Sequence, residues 1–399
     1  MDPYLTDWLN LLVRWLHVVA AIAWIGTSFY FVYLDLSLLP PRKREDAEKG
    51  VGGEFWSVHG GGFYHVQKYR VAPDILPEPL HWFKWEAYTT WLSGFALFIV
   101  LYYANADTQL VDPRVADLGS TTAIAISVGL LALAWVVYDL LCRLLAKNEL
   151  LLGAAVVLVA VAAAYTAANV FSGRAAYIQV GAMLGTMMAG NVLFNIIPAH
   201  RELVAAKEAG REPDPTPGIR AKQRSVHNNY LTLPVVFAML ANHVPLAYGH
   251  EHGWLVLVAI MAVGAWIRHF FNLRHRGRTV WAIPASAAVA LVALALALEP
   301  DRGETGAQSG GDEEPVEFAE VERIVNERCA VCHSVTPTEA ETAPKGITFD
   351  TREEIAAQAD AIRQQAIDSR AMPPGNVTGM TDAERDVLAE WIRAGAKVR

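Results

Sequence analysis

Cysteine is scarce in this sequence, and three positions among 399 residues are too few for a disulfide framework. Charged residues are scarce as well, at 19% of the chain, whereas hydrophobic residues reach 53%. This balance excludes an ordinary soluble globular protein and is typical of a membrane protein. The formal net charge is −8, so we expect no nucleic-acid partner.

The sequence also lacks the features of a cleavable signal peptide. Its first residues, "MDPYLTDWLN", contain no basic region, and the apolar run that follows is longer than the core of such a peptide. We therefore expect this first run to remain in the protein as a membrane helix.

Long apolar runs fill most of the chain before residue 299. A helix needs about 20 apolar residues to cross the hydrocarbon core of a bilayer. Eight runs meet this requirement, and they cover roughly residues 9–36, 87–104, 122–143, 150–170, 176–198, 230–248, 253–273 and 279–298. We therefore predict an all-α fold in which residues 1–298 form a polytopic bundle of eight transmembrane helices in a lipid bilayer.

The composition changes at residue 299. From Glu299 onward the chain has 21 acidic and 11 basic residues, so most of the negative charge lies in this segment. Residues 299–316 are charged, rich in glycine and without an apolar period, which predicts a flexible linker. Residues 317–399 then form a separate small domain in this prediction.

A short motif in this last domain, "CAVCH" at residues 329–333, is typical of covalent haem c attachment. Cys329 and Cys332 would bind the two haem vinyl groups, and His333 would bind the iron from one side. Met372, on a Pro-Pro-Gly loop 39 residues later, is the candidate for the second axial ligand. We therefore predict a small class I-like cytochrome c domain with one covalent haem c.

Haem c is attached outside the cytoplasm, which predicts a periplasmic last domain on a bacterial inner membrane. Eight spans then place the N-terminus in the periplasm too. Basic residues should be enriched in the cytoplasmic loops, and these loops contain 18 Lys and Arg residues. The opposite loops contain only Arg114 and Arg174, so the charge bias and the haem chemistry predict the same topology.

Two histidines lie near the predicted outer half of the bundle. His17 falls in the first span and His243 near the end of the sixth. Ionisable residues within a membrane are costly and therefore functional candidates, and two neutral imidazoles could hold a haem b between helices. Hydrogen-bonded packing is the alternative interpretation of each histidine.

A second polar group is predicted on the cytoplasmic side. Successive glycines in the first loop could turn backbone N–H groups toward an anion, and a lysine nearby adds positive charge. The predicted catalytic residues are His59, Lys68 and His227, and the predicted substrate-binding residues are Gly60, Gly61, Gly62, Asn228 and Asn229. The alternatives are a tight loop for the glycines and a helix cap for the asparagines.

Several stretches of the chain, taken together, resemble one family. They are "RWLHVVAAIAWIGTSFYF", "WSVHGGGFY", "HWFKWEAYTTWLSG", "GNVLFNIIPAHR" and "VHNNYLTLPVVFAMLANH", followed by the CxxCH domain. The combination resembles the bacterial membrane-bound urate hydroxylases (PuuD type) over nearly the whole chain. The first span is also similar to that of membrane protoporphyrinogen oxidases, in which a histidine is linked to haem b, and this favours His17 as a ligand.

The resemblance implies oxidation of urate to 5-hydroxyisourate, with electrons passing to cytochrome c rather than to oxygen. The expected acceptor is a soluble cytochrome c or a terminal oxidase. A cytoplasmic substrate site would be separated from a periplasmic haem c by a core of about 30 Å, so either haem b relays the electrons or urate binds nearer the outer face. A quinol-oxidising cytochrome and a transporter with a cytochrome tail are the alternative functions.

Overall fold

The structure, a computed structural model, describes residues 3–250, 252–298, 316–340 and 343–398. Helices account for 69% of the described residues and strands for 5%. We call residues 3–298 the helical body and residues 316–398 the tail. The predicted linker, residues 299–316, lies outside the described residues except for Val316.

The helical body consists of long helices joined by short ones and one β-hairpin. Its helices are α1 (Pro3–Ser37), α2 (Arg44–Glu48), α3 (Trp85–Phe98), α4 (Ala106–Gln109), α5 (Ser120–Leu144), α6 (Glu149–Ala168), α7 (Gly173–Gly190), α8 (Ile197–Glu208), α9 (Pro215–Ala241), α10 (Pro245–Tyr248), α11 (Gly253–His275) and α12 (Ala282–Ala297). Two π-helical segments, Ile99–Tyr103 and Asn191–Ile196, extend α3 and join α7 to α8.

Several of these helices can cross a membrane. Five described stretches are long and apolar enough, and they are Tyr4–Ser37, Ser120–Leu144, Glu149–Ala168, Gly173–Glu208 and Gly253–His275. Helix α12 is equally apolar but has only 16 residues. The structure is therefore compatible with a membrane protein, while a count of eight spans remains a prediction.

The sixth predicted span, residues 230–248, overlaps only the second half of helix α9. Helix α9 begins at Pro215, well before residue 230, because the Asp214 side chain accepts a hydrogen bond from Thr216 N at 2.9 Å and proline suits the first helical position. It ends at Ala241, shortly before Pro245, which cannot continue a helix because it lacks an N–H. The polar first half of α9 carries several of the residues discussed below.

The all-α prediction missed a hairpin. Strands β1 (Val51–His59) and β2 (Gly62–Tyr69) pair antiparallel, with His59 opposite Gly62. Gly60 and Gly61 make the two-residue turn with φ of +57° and +81°, a conformation that favours glycine at both central positions. The three glycines favour a loop, whereas the alternating side chains beside them are typical of strands.

Helix α1 lies at the edge of the body and packs against α3. Many of its large apolar side chains, such as Trp15 and Ile22, are exposed, as expected for residues that face lipid. Helix α7 contacts α5, α6 and α9. The apolar stretch that contains it, Gly173–Glu208, is the most buried of the five. The hairpin follows α1 and precedes α3, so it lies at one end of the body, called the hairpin end.

The tail has its own apolar core. Its α-helices are α13 (Phe318–Arg328), α14 (Arg352–Ala357), α15 (Ala359–Ile362) and α16 (Asp382–Arg393). Helices α13 and α16 contact each other through buried side chains that include Phe318, Val321, Leu388 and Trp391. The tail thus has a helix, the CxxCH motif, a loop with Met372 and a second long helix in that order along the chain.

Glu384 couples the two long helices of the tail. It forms a capping box with Thr381 at the start of α16 and accepts a hydrogen bond from Arg328 Nη2 at 3.0 Å. Burial raises the pKa of the Glu384 carboxyl, but hydrogen bonds from Thr381 and Arg328 outweigh this effect and hold the pKa below its ordinary value.

We expect the stabilisation by Glu384 to be present above the carboxyl's unfolded pKa and to be lost as the pH falls through the lower folded pKa. Glu384→Gln should therefore reduce the hydrogen-exchange protection of α13 and α16 at pH 7, and the difference from wild type should shrink at acid pH. Glu353→Gln, at an exposed position of α14, is the control. A difference that grew on acidification would contradict this assignment.

Candidate functional site

The CxxCH motif forms a tight turn directly after α13. The backbone N–H groups of Cys332 and His333 donate to Cys329 O at 3.1 and 2.9 Å. His333 Nδ1 lies 3.0 Å from Ile347 O. When Nδ1–H donates to that carbonyl, Nε2 carries the lone pair, which is the arrangement that orients a histidine for a metal.

Met372 lies on a loop that the rest of the tail holds in place. Its backbone N–H donates to Gln365 O at 2.8 Å, and its side chain packs against the apolar core of the tail. Arg385 Nη1 donates to Met372 O at 3.1 Å and also to Ala366 O. Arg385 therefore fixes the loop that presents the predicted second axial ligand.

The surroundings of this motif fit a haem. Burial raises the pKa of the Cys329 thiol to about 12 and lowers the pKa of Arg385 to about 10. Arg385 is 3% exposed, and its Nε and Nη2 are buried without a hydrogen-bond partner among the described residues. A haem carries carboxylates that could satisfy such donors, and the thiols, imidazole and thioether are the groups that haem c requires.

The tail packs on the end of the body opposite the hairpin, called the tail-facing end. A Cβ atom on Gly249 would lie 2.5 Å from Ser369 Cα, and one on Gly375 would lie 3.1 Å from Val111 O. Arg114 Nη2 donates to Arg370 O at 3.4 Å. Backbones of the two parts therefore approach each other closely on the Met372 side of the tail.

A cavity of about 830 Å³, called the tail-facing cavity, lies between these surfaces. The body supplies most of its wall from the ends of α4, α6, α7 and α11 and from α10, and the tail supplies the loop around Met372. Three arginines line it, Arg114, Arg174 and Arg370, against a single described carboxylate, Asp112. The cavity therefore has an excess of positive charge.

Two polar atoms of this cavity's wall are buried without a hydrogen-bond partner among the described residues. They are the acceptor Asn242 Oδ1 and the donor Arg174 Nε. Asn242 is 8% exposed, and its amide nitrogen reaches Tyr102 OH at 3.4 Å. Arg174 Nη1 reaches Gln109 Oε1 at 3.4 Å, which is a long hydrogen bond. Buried polar atoms normally have partners, so these two indicate a missing ligand or water.

The structure places the two predicted haem b histidines in different surroundings. His17 Nδ1 lies 3.0 Å from Thr90 O on α3, and its ring rests on Gly94, where a Cβ would lie 2.8 Å from His17 Cε1. With Nδ1 as the donor, Nε2 is the nitrogen that iron would bind. His243 lines the tail-facing cavity. Haem b ligation by this pair remains a prediction.

A buried polar network occupies the half of the body nearer the hairpin end. His227 Nδ1 lies 2.9 Å from Tyr138 OH, and Asn191 Nδ2 donates both to Tyr138 OH and to Asn228 Oδ1 at 2.8 Å. Arg224 Nη2 donates to Asp139 Oδ1 at 2.7 Å. A fixed network of this kind within apolar helices orients His227 and Asn228 firmly.

Asn229 of α9, the third predicted site residue after His227 and Asn228, makes two contacts beside this network. Asn229 Oδ1 accepts from Arg268 Nε, and Asn229 Nδ2 donates to Asn272 Oδ1 at 3.1 Å. Asn228 and Asn229 therefore bond side chains of different helices rather than capping α9.

The remaining predicted residues lie on the hairpin. His59, Gly60 and Gly61 are exposed at its tip, and Lys68 forms an ion pair with Asp35 of α1. The same carboxylate also binds Lys222 Nζ at 2.7 Å. The ammonium group predicted to hold a substrate anion is thus engaged by a carboxylate of the protein. Catalysis by His59, Lys68 and His227 stays a prediction.

Sequence reasoning missed several residues of the network and of the cavity. The network adds Tyr138, Asp139, Asn191 and Arg224, and the cavity adds Arg114, Arg174 and Asn242. One signal was present, because Arg114 and Arg174 are the only two basic residues assigned to the outer loops, and both line the cavity. The isolated asparagines within long apolar runs were a second signal.

The fold defines a mostly helical protein whose apolar helices can cross a membrane and whose body encloses buried ionisable groups. The sequence profile of one family, described as "Urate oxidase N-terminal", matches residues 3–299. The chain therefore belongs to the urate oxidase N-terminal family, and membership supports an oxidoreductase that acts on urate. No curated protein and no solved structure matches the chain.

Proposed function

We propose that this protein is a membrane-bound urate hydroxylase of the PuuD type, which converts urate to 5-hydroxyisourate and passes the electrons to haem c in its tail. It is a multi-pass protein of the bacterial inner membrane in this proposal, with the N-terminus and the tail in the periplasm. Its parts are the membrane domain, residues 1–298, a linker, residues 299–316, and a cytochrome c domain, residues 317–399. Family membership supports urate as the substrate.

One observation supports the coupling of the two parts more than any other. The Met372 loop of the tail and the tail-facing end of the body form the walls of one cavity. A group that oxidises urate in the body and a group that accepts electrons in the tail can therefore lie close together. A tail that acted only as a soluble domain on a tether would not require this close packing.

The overall reaction balances with water as the source of oxygen. Urate and one water molecule give 5-hydroxyisourate, two protons and two electrons. Cys329, Cys332, His333 and Met372 would hold haem c, which would supply one-electron acceptance. A soluble cytochrome c or a terminal oxidase then takes each electron in turn, so oxygen need not react with urate directly.

The chain's own residues must bind the planar urate anion and accept its protons. Histidine is suited to proton transfer because its imidazole titrates near neutral pH. The sequence predicts His59 or His227 as this base, and Gly60–Gly62 with Lys68 as the residues that hold the ring. Lys68 is paired with Asp35, and the tip of the hairpin is exposed. Neither observation favours the hairpin over the tail-facing cavity as the place where urate binds.

The proposal predicts that urate alone reduces the protein. Anaerobic addition of urate to the oxidised full-length protein should convert the ferric haem bands to ferrous bands, with formation of 5-hydroxyisourate. Xanthine, which lacks the C8 oxygen, is a matched control ligand. Reduction by quinol analogues with indifference to urate would instead indicate a quinol-oxidising cytochrome, and uptake into vesicles without redox change would indicate a transporter.

A further inference from the structure

We propose that the tail-facing cavity is the urate-binding site, with Arg174 and Asn242 as the residues that bind the ring edge beside the Met372 loop. This inference rests on the proposed function and specifies where its substrate binds. This site lies at the opposite end of the body from the hairpin, where the glycine-rich stretch predicts substrate binding.

The unpartnered atoms of the cavity match the edge of a urate ring. Asn242 Oδ1 accepts a hydrogen bond, and Arg174 Nε donates one. Urate presents alternating N–H donors and carbonyl acceptors around its edge, so one ligand can satisfy both atoms. A purely apolar ligand would leave both of them without partners at a large cost.

The charge of the cavity favours an anion. Urate carries a negative charge at neutral pH, and the cavity has three arginines against one described aspartate. That aspartate is already occupied, because Arg114 binds both Asp112 oxygens at 3.0 and 2.7 Å. Arg370 pairs with Asp382 at 3.0 Å. Among the described residues, Arg174 is therefore the arginine of the cavity whose charge remains for a ligand.

The walls of the cavity suit a flat ring. Tyr177, Tyr248 and Trp254 line it. Tyr177 OH donates to the carbonyls of Ala247 and Gly253 at 2.8 and 2.7 Å, which fixes the position of its ring. Aromatic faces of this kind pack against planar heterocycles, so the cavity offers apolar surface together with a few placed polar groups, as ligand sites usually do.

The position of the cavity also removes a difficulty of the hairpin-end site. Electrons released there would have to cross about 30 Å of membrane to reach the tail. In the tail-facing cavity, Met372 is part of the wall. Substrate and electron acceptor then lie on the same side of the membrane, and the reaction requires no relay across it.

Binding can be measured without turnover on the full-length holoprotein, after dithionite has reduced its haem. We expect Arg174→Gln and Asn242→Leu each to weaken urate binding by about tenfold to a hundredfold, the range for loss of a buried hydrogen bond to a charged ligand. Arg174→Lys should restore part of the affinity. In steady state the loss should fall mainly on KM. The matched control is Arg276→Gln, at an exposed position of the hairpin end.

The outcomes separate this inference from the proposed function. Unchanged urate affinity in both variants, with urate still reducing the wild-type haem, overturns the inference and leaves the function intact. Variants that alter the haem spectrum or potential but not urate affinity show that the two residues serve the haem, which also overturns it. Failure of urate to bind or reduce the wild-type protein overturns the function itself.

Discussion

Replacing Cys329 and Cys332 together by serine should abolish urate-dependent electron transfer while the helical body stays folded. Both thioether bonds of a c-type haem need these sulfur atoms, so no covalent haem can form. The loss should be complete to background rather than partial, because the electrons then have no acceptor in the tail. Haem staining after denaturing electrophoresis measures attachment, and reduction of an external cytochrome c by urate measures transfer.

The third cysteine provides the matched control for this prediction. Cys142 is buried in α5 and lies 3.8 Å from His227 Nδ1. Cys142→Ser should keep the covalent haem, and His333→Ala should keep attachment but change the spectrum of the iron. Covalent haem in the Cys329/Cys332 double variant would contradict the assignment of the motif.

The largest expected effect on stability concerns Arg224 in the body. Its side chain is 5% exposed, and its charge is balanced by Asp139 at 2.7 Å. Asp139→Ala leaves this buried cation without its partner, which typically destabilises a protein by about 3–5 kcal/mol. We expect a corresponding fall in the free energy of unfolding, measured by denaturant unfolding in detergent. His227 and Asn228 should lose their fixed positions as the network opens.

Asp139 has a second arginine partner that serves as the control. Arg143 Nε also lies 2.7 Å from Asp139, but the Arg143 side chain is 72% exposed. Arg143→Gln should therefore cost only about 0–1 kcal/mol. Replacing Asp139 by Leu together with Arg224 by Met should cost less than Asp139→Ala alone, because no unpaired charge remains. Equal costs for losing Asp139 and losing Arg143 would contradict this account of the network.

The sequence predicted the long helices well because their signal is local. A run of apolar residues such as 122–143 must be buried or face lipid, and α5 (Ser120–Leu144) agrees within two residues at each end. The start of α9 was misplaced because its polar first half lacks that signal and depends on the Asp214 cap. The hairpin was missed because glycine content outweighed the alternation of its strands.

The residues of the candidate site also differ in whether a local sequence signal predicts them. The CxxCH motif is contiguous, so its residues could be recognised without a structure. The tail-facing cavity joins Arg174 at the start of α7, Asn242 after α9 and Met372 in the tail, which are far apart in the chain. Only the folded arrangement shows that these side chains share one cavity and that two of their polar atoms lack partners.

The central claim is that urate oxidation in the body delivers electrons to the tail. Its most direct test is an anaerobic titration of the oxidised holoprotein with substoichiometric urate, in which product and haem bands are followed together. The account predicts two ferric haem c groups reduced for each urate consumed, in the absence of oxygen. Consumption of urate with unchanged haem bands, or a strict requirement for oxygen, would contradict it.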